Sequence, residues 1–174
     1  MKKLFYLAFI MLFAVSAVNA QKFKYIGAAK CKMCHNKAAT GEQYKIWSAA
    51  PHAGAYATLN NEESWEYAKN HGIADPTKEA SCLKCHSTYH AVDPKLRATI
   101  QPDEGVSCEA CHGPGSAYKA ASVMRDREYA MEKGMILATE EVCKTCHNEE
   151  SPHYKGFNFA EAVKAIAHPN PQSK

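Results

Sequence analysis

The first apolar block of the chain, Leu4 to about Ala17, is continuous rather than periodic, follows Lys2 and Lys3, and ends on Val18-Asn19-Ala20. A basic start, a short apolar run and a small-residue ending are the parts of a secretory leader cleaved before Gln21. The run is too short to favour a retained span, and no later block is long enough to cross a bilayer. The expected partition is a leader over 1–20 and a single domain over 21–174.

Beyond that block the hydrophobic pattern is broken into short helical stretches separated by Gly/Pro turns. Gly41 to Ala50, "GEQYKIWSAA", has helical composition and stops at Pro51. Glu62 to Asn70 follows an Asn60-Asn61 cap and ends near Gly72. Ala117 to Lys133 is the longest candidate, with Met124, Met131 and Met135 on one stripe, placed as packing residues more than as ligands. Glu140 to Cys146 is a short helix capped by Thr139, and Asn158 to Glu161 is a capping-box variant opening a helix to about Ala167, stopped by Pro169. Period-two alternation is missing, so a mainly α fold is expected.

Cysteine usage changes the picture. All eight cysteines fall in four Cys-x-x-Cys-His signatures: Cys31, Cys34, His35; Cys82, Cys85, His86; Cys108, Cys111, His112; Cys143, Cys146, His147. Two thiols three positions apart can add to the two vinyl groups of one haem, and the imidazole that follows then falls under the iron. A disulfide framework, zinc knuckles or thioredoxin-like pairs would account for the cysteines, but none of them requires a histidine after every pair. The expectation is four covalently attached haems c, and hence a compact multihaem cytochrome with short helices and long loops around four packed haems.

Residues 21–174 would carry these groups at about 38 residues per haem, so the porphyrins must supply much of the buried surface. The first cysteines of successive motifs are 51, 26 and 35 residues apart, too irregular for a solenoid. Net charge is +3 over the whole sequence, and loss of Lys2 and Lys3 with the leader lowers it before any haem propionate is counted. Nothing in that balance favours nucleic-acid binding.

Five histidines remain outside the motifs. His52, after Pro51, and His168, before Pro169, are expected to be distal iron ligands, because a fixed backbone projects each ring. His90, four residues beyond His86, belongs near the second haem as ligand or polar neighbour. His71 and His153 are placed as solvent-facing groups or propionate partners.

The order of "CKMCHNK", "IWSAAPHAGAYATL", "ASCLKCHST", "DEGVSCEACHGPGSAY", "CKTCHNEESPHYKGF" and "AIAHPNP" resembles the cytochrome c-554 family of small tetrahaem electron carriers. The resemblance implies a mainly α-helical periplasmic protein in which three haems are bis-histidine and the second lacks a distal protein ligand. It implies His52 as the distal ligand opposite His112, and His168 as that opposite His147. Where the family has a histidine after "CHGPGS", capping the first haem, this sequence has Tyr118. The sixth ligand of the first haem is thereby left open between His90, His71, His153, Tyr118 and none.

Function follows from coordination: bis-histidine iron passes single electrons, whereas five-coordinate iron can bind NO, nitrite or hydroxylamine. The expected function is an exported electron carrier between periplasmic or membrane redox partners, with donor and acceptor unidentified by the sequence. Two alternatives are a small nitrogen-oxide reductase at an open haem and a subunit of a haem filament or larger cytochrome complex. The short chain and the want of a clustered set of acids favour the carrier over the enzyme.

Overall fold

The computed structural model of the protein describes residues 23–171. The expected leader, residues 1–20, lies outside them. Eleven short α-helices and two 3-10 turns make up the architecture of the described residues, and the only strand-like pairing among these is a single parallel bridge between Tyr25 and Arg97. In chain order the helices are α1 (Ala28–His35), α2 (Gln43–Ser48), α3 (Pro51–Thr58), α4 (Glu62–Asn70), α5 (Ala80–His86), α6 (Thr88–Ala91), α7 (Cys108–His112), α8 (Ala121–Met124), α9 (Arg127–Glu132), α10 (Glu140–Lys144) and α11 (Phe159–Ile166). The mainly α expectation therefore holds, and no described helix is long and apolar enough to cross a membrane.

Local signals account for most of these boundaries. Asn61 caps α4 by accepting the Ser64 amide at 2.8 Å, and Asn158 opens α11 by accepting that of Glu161 at 3.3 Å. Pro51 occupies the first turn of α3, where its missing N–H costs nothing, so the sequence "AAPH" starts a helix as well as ending one. The single long helix expected over Ala117 to Lys133 is instead two short ones, α8 and α9. Asp126 breaks it: its backbone is extended and its carboxylate accepts the Tyr129 amide at 3.0 Å, beginning a new helix. Thr139 stands at the start of α10 but takes no backbone amide there, and α10 ends before Cys146 rather than at it.

The core built by side chains is small. Ile26, Ala28, Leu59, Ala68, Leu83, Ile100, Tyr118, Val123 and Ala130 are the buried apolar residues, and they are scattered over the molecule rather than gathered in one layer. One cluster joins Tyr118, Val123 and Ala130 with Met124 and Met135 against it. The methionine stripe is thus only partly realised, because the break at Asp126 turns Met131 out to solvent.

Two glycines allow the close approaches that bring the motifs together. Gly27, at the start of α1, has φ +85°, and a Cβ there would lie 2.9 Å from the Ile100 Cα. Gly105 has φ +66°, and a Cβ there would meet the carbonyl oxygens of His52 and Ala53 at 2.6 Å. The segment after Gly105 consequently lies flat on the α2–α3 corner, where the Val106 amide donates to His52 O and Trp47 Nε1 donates to Val106 O, both at 2.9 Å.

Candidate functional site

Each of the four signatures lies on or directly beside a short helix: α1, α5 and α7 carry the first three whole, and α10 ends between the cysteines of the fourth. One helical turn places both thiols and the following imidazole on neighbouring positions, as joint attachment to one planar group requires. The motifs are also brought against one another. The Cys31 thiol lies close to that of Cys108, and that of Cys85 to that of Cys146, while Cys111 lies close to both Cys143 and Cys146. The first motif thus adjoins the third, the third the fourth, and the fourth the second.

His52 and His168 each face a motif histidine. The His52 and His147 rings are 5.9 Å apart between centroids and near-perpendicular at 75°; the His112 and His168 rings are 6.1 Å apart at 79°. Two metal–nitrogen bonds of about 2 Å in line, with a ring radius added on each side, put imidazole centroids about 6 Å apart. Both pairs have that spacing. The pairing is the reverse of what the family resemblance implies, since His52 faces His147 and His168 faces His112. The backbone explains the crossing: His52 O is tied to Val106 beside the third motif, while α3 carries its ring toward the fourth.

Protonation states suit a metal. Burial, and then the neighbouring His147, hold His52 below the usual imidazole range; burial, and then His168, do the same for His112. Both rings are neutral at neutral pH, the form that coordinates. His168 Nδ1 lies 2.8 Å from Ile166 O, and His86 Nδ1 lies 2.8 Å from Ala55 O. A carbonyl can only accept, so in each ring Nδ1 is the donor and Nε2 is the nitrogen left for coordination. Thr58 Oγ1, 3.2 Å from His86 Nδ1, adds a second hold on that ring.

The surroundings fit a large apolar group. A cavity of about 250 Å³ opens beside Pro51, His52, Cys143, His147, Phe157 and Ile166, so thiol, facing imidazoles and apolar wall share one slot. Phe157 stacks on His147 at 4.9 Å and 18°, fixing the ring from its other face. A second cavity of about 160 Å³ is lined by Cys85 and Cys146 with Tyr25 and Val106. Arg97 lies over the Tyr89 ring at 4.2 Å and donates through Nη2 to Val92 O at 3.1 Å, while its buried Nε makes no hydrogen bond.

His90 stacks on Tyr56 at 5.7 Å and meets Tyr89 edge-on at 5.0 Å, with burial and Arg97 holding it below the usual range. Its ring therefore contacts tyrosines, and it is not one of the rings facing a motif histidine among the described residues. His71 and His153 are exposed and flank Tyr67, at 3.8 and 6.1 Å. Tyr118 is buried, and its hydroxyl donates to Gly113 O at 2.8 Å. Burial, and then Glu109, push its phenol well above the ordinary range, so it stays protonated.

Glu109 is the residue that the sequence pattern passed over. A charged residue between two motif cysteines carries no signal of burial, yet Glu109 is 1 % exposed and accepts the amides of Ile26, Gly27 and Gly115. Glu104 beside it accepts the Ala28 amide at 2.8 Å. Two carboxylates thereby receive the free amides at the start of α1, the helix of the first motif. Burial raises both above the ordinary carboxylate range.

Comparison with known proteins points the same way as the motifs. Residues 30–113 match the family model described as cytochrome c554 and c-prime. Over 80% of its length the chain is 30% identical to cytochrome c-554 of Nitrosomonas europaea, of which the match covers 72%. No solved structure matches the chain.

Proposed function

The chain belongs to the cytochrome c-554 family, a family of c-type cytochromes with covalently bound haem c, and from that membership we propose that it is an exported tetrahaem electron carrier. In this reading each motif holds one haem through its two cysteines, with His35, His86, His112 and His147 as proximal ligands. His52 and His168 are the distal ligands of the fourth and third haems. The observation that carries the reading is the two facing pairs, His52 with His147 and His112 with His168, each at the spacing one iron needs.

The group would supply reversible one-electron chemistry at an iron whose geometry changes little between its two oxidation states. The chain's own part is positional. Ile166 O and Ala55 O aim the Nε2 atoms of His168 and His86, Phe157 and His52 bracket His147, and the thiol neighbours set the order first, third, fourth, second. Electrons entering at the first motif would leave at the second, to a redox partner in the periplasm or at the membrane.

Haem stoichiometry by alkaline pyridine spectroscopy, paired with the intact mass of the exported protein, tests this directly. The expected result is four haems per chain on a polypeptide starting at Gln21. Two haems or fewer, or a chain that retains residues 1–20, would remove the tetrahaem or the exported part of the reading respectively.

A further inference from the structure

Helix α1 presents an exposed face of unusual composition. Lys30 and Met33 lie one turn apart on its exposed surface, and Lys37 is exposed two residues beyond its end, where the backbone is extended. Met33 is 72 % exposed, the most open of the large apolar side chains among the described residues. α1 has no acidic residue in its first turn. The neighbouring lysines are committed elsewhere, Lys32 over the Tyr44 ring at 5.0 Å and Lys45 to Glu42 at 3.0 Å, whereas Lys30 and Lys37 form no ion pair among the described residues.

The opposite sign collects at the other end of the motif order. Glu62, Glu63 and Glu66 are exposed on α4, and Glu149 and Glu150 are exposed after the fourth motif. Contact between Tyr67 and His153 places those two segments side by side. Ser64 Oγ on α4 reaches Thr58 O, next to the second motif's histidine. Those acids sit among cations, with Lys84 paired to Glu150 and Lys144 to Glu140, whereas Lys30 and Lys37 have no such acidic partner among the described residues.

From these unpaired cations around an exposed methionine we infer that the surface of Lys30, Met33 and Lys37 is the docking surface for an acidic redox protein, through which electrons cross beside the first motif. An apolar centre flanked by two cations suits a small, short-lived interface: charge steers and orients the encounter, and one desolvated side chain seats it. Two lysines and one methionine are too few for stable membrane attachment. The inference rests on the first motif carrying a haem.

The test uses the holoprotein on gold electrodes coated with carboxylate-terminated or ammonium-terminated monolayers, with adsorbed mass and current recorded together. Wild type should adsorb to the carboxylate surface and pass current at low ionic strength. K30E/K37E should lose adsorption by about tenfold, the difference vanishing at high salt. M33E should adsorb but dissociate faster, and E62K/E63K should match wild type.

Equal adsorption of wild type and K30E/K37E, or preference for the ammonium surface, overturns the docking face. So does cosedimentation with vesicles one-third phosphatidylglycerol, or a dimer in sedimentation velocity that K30E/K37E abolishes. Adsorption that K30E/K37E weakens, but with no current from any film, supports the face and overturns the haem reading at the first motif instead.

Discussion

The carboxylate of Glu109 accepts the amide of Gly27 at 2.7 Å, joining the third motif to the turn that opens the first. The Ile26 amide bonds to both of its oxygens at 2.9 Å, and Gly115 donates from the loop that follows His112. One acidic side chain therefore holds two haem motifs and two loops in register, from a site almost closed to water.

Glu109→Ala leaves the Ile26, Gly27 and Gly115 amides buried without their acceptor. Each such loss costs about 1–3 kcal/mol, and relaxation of the loops recovers part of it, so the expected destabilisation is about 3 kcal/mol. Guanidinium unfolding of the holoprotein measures it. A change below about 0.5 kcal/mol would mean that the three amides find other partners or water.

The same pair of carboxylates gives a pH dependence of definite sign. Burial raises Glu104 and Glu109 above their ordinary value of 4.5, so the folded chain holds their protons more tightly than the unfolded one. Their stabilisation is fully present below about 4.5 and is lost as pH rises through the raised folded values. Tyr25, itself raised by burial and by Glu109, faces the same carboxylate and stays protonated throughout this window. Unfolding free energy should therefore fall more steeply in wild type than in the Glu104→Gln/Glu109→Gln variant as pH rises above about 4.5. Parallel pH profiles for the two proteins would exclude these groups as the source.

His52→Ala should convert one low-spin haem to high spin in the ferric EPR spectrum, and His168→Ala another, with covalent haem content unchanged. The ring pairs specify which. His52→Ala should perturb the haem bound through Cys143 and Cys146, and His168→Ala that bound through Cys108 and Cys111. Paramagnetic NMR of the haem substituents tells these apart, and the opposite assignment would restore the pairing that the family resemblance implies.

That crossing marks how far the sequence could be followed. The signatures, the α4 boundaries with their Asn61 cap and the Asn158 start of α11 were legible because each depends on residues within a few positions of one another. The placing of His52 against His147 depends on Gly105 letting a distant segment lie on the α2–α3 corner, a contact between residues more than fifty apart that no local pattern encodes. The break at Asp126 was readable in principle, since an acid three residues before Tyr129 can cap, but the uninterrupted apolar spacing from Ala117 masked it. Glu109 gave no signal, because its role is set by which amides the fold delivers to it.

Tyr118 stands where the family resemblance implies a ligand, and its environment bears on whether it serves as one. The hydroxyl is spent on Gly113 O at 2.8 Å, the ring is packed with Val123 and Ala130, and burial and Glu109 oppose formation of the phenolate that iron would need. Tyr118→Phe keeps the packed ring and removes one hydrogen bond, so stability should fall by about 1 kcal/mol while the ferric optical and EPR spectra stay unchanged. A phenolate ligand would give a charge-transfer band that disappears in the Phe variant, with one haem changing spin state. If that band is seen, the hydroxyl must leave Gly113 when iron is present, and the loop from His112 to Tyr118 would have to rearrange with it.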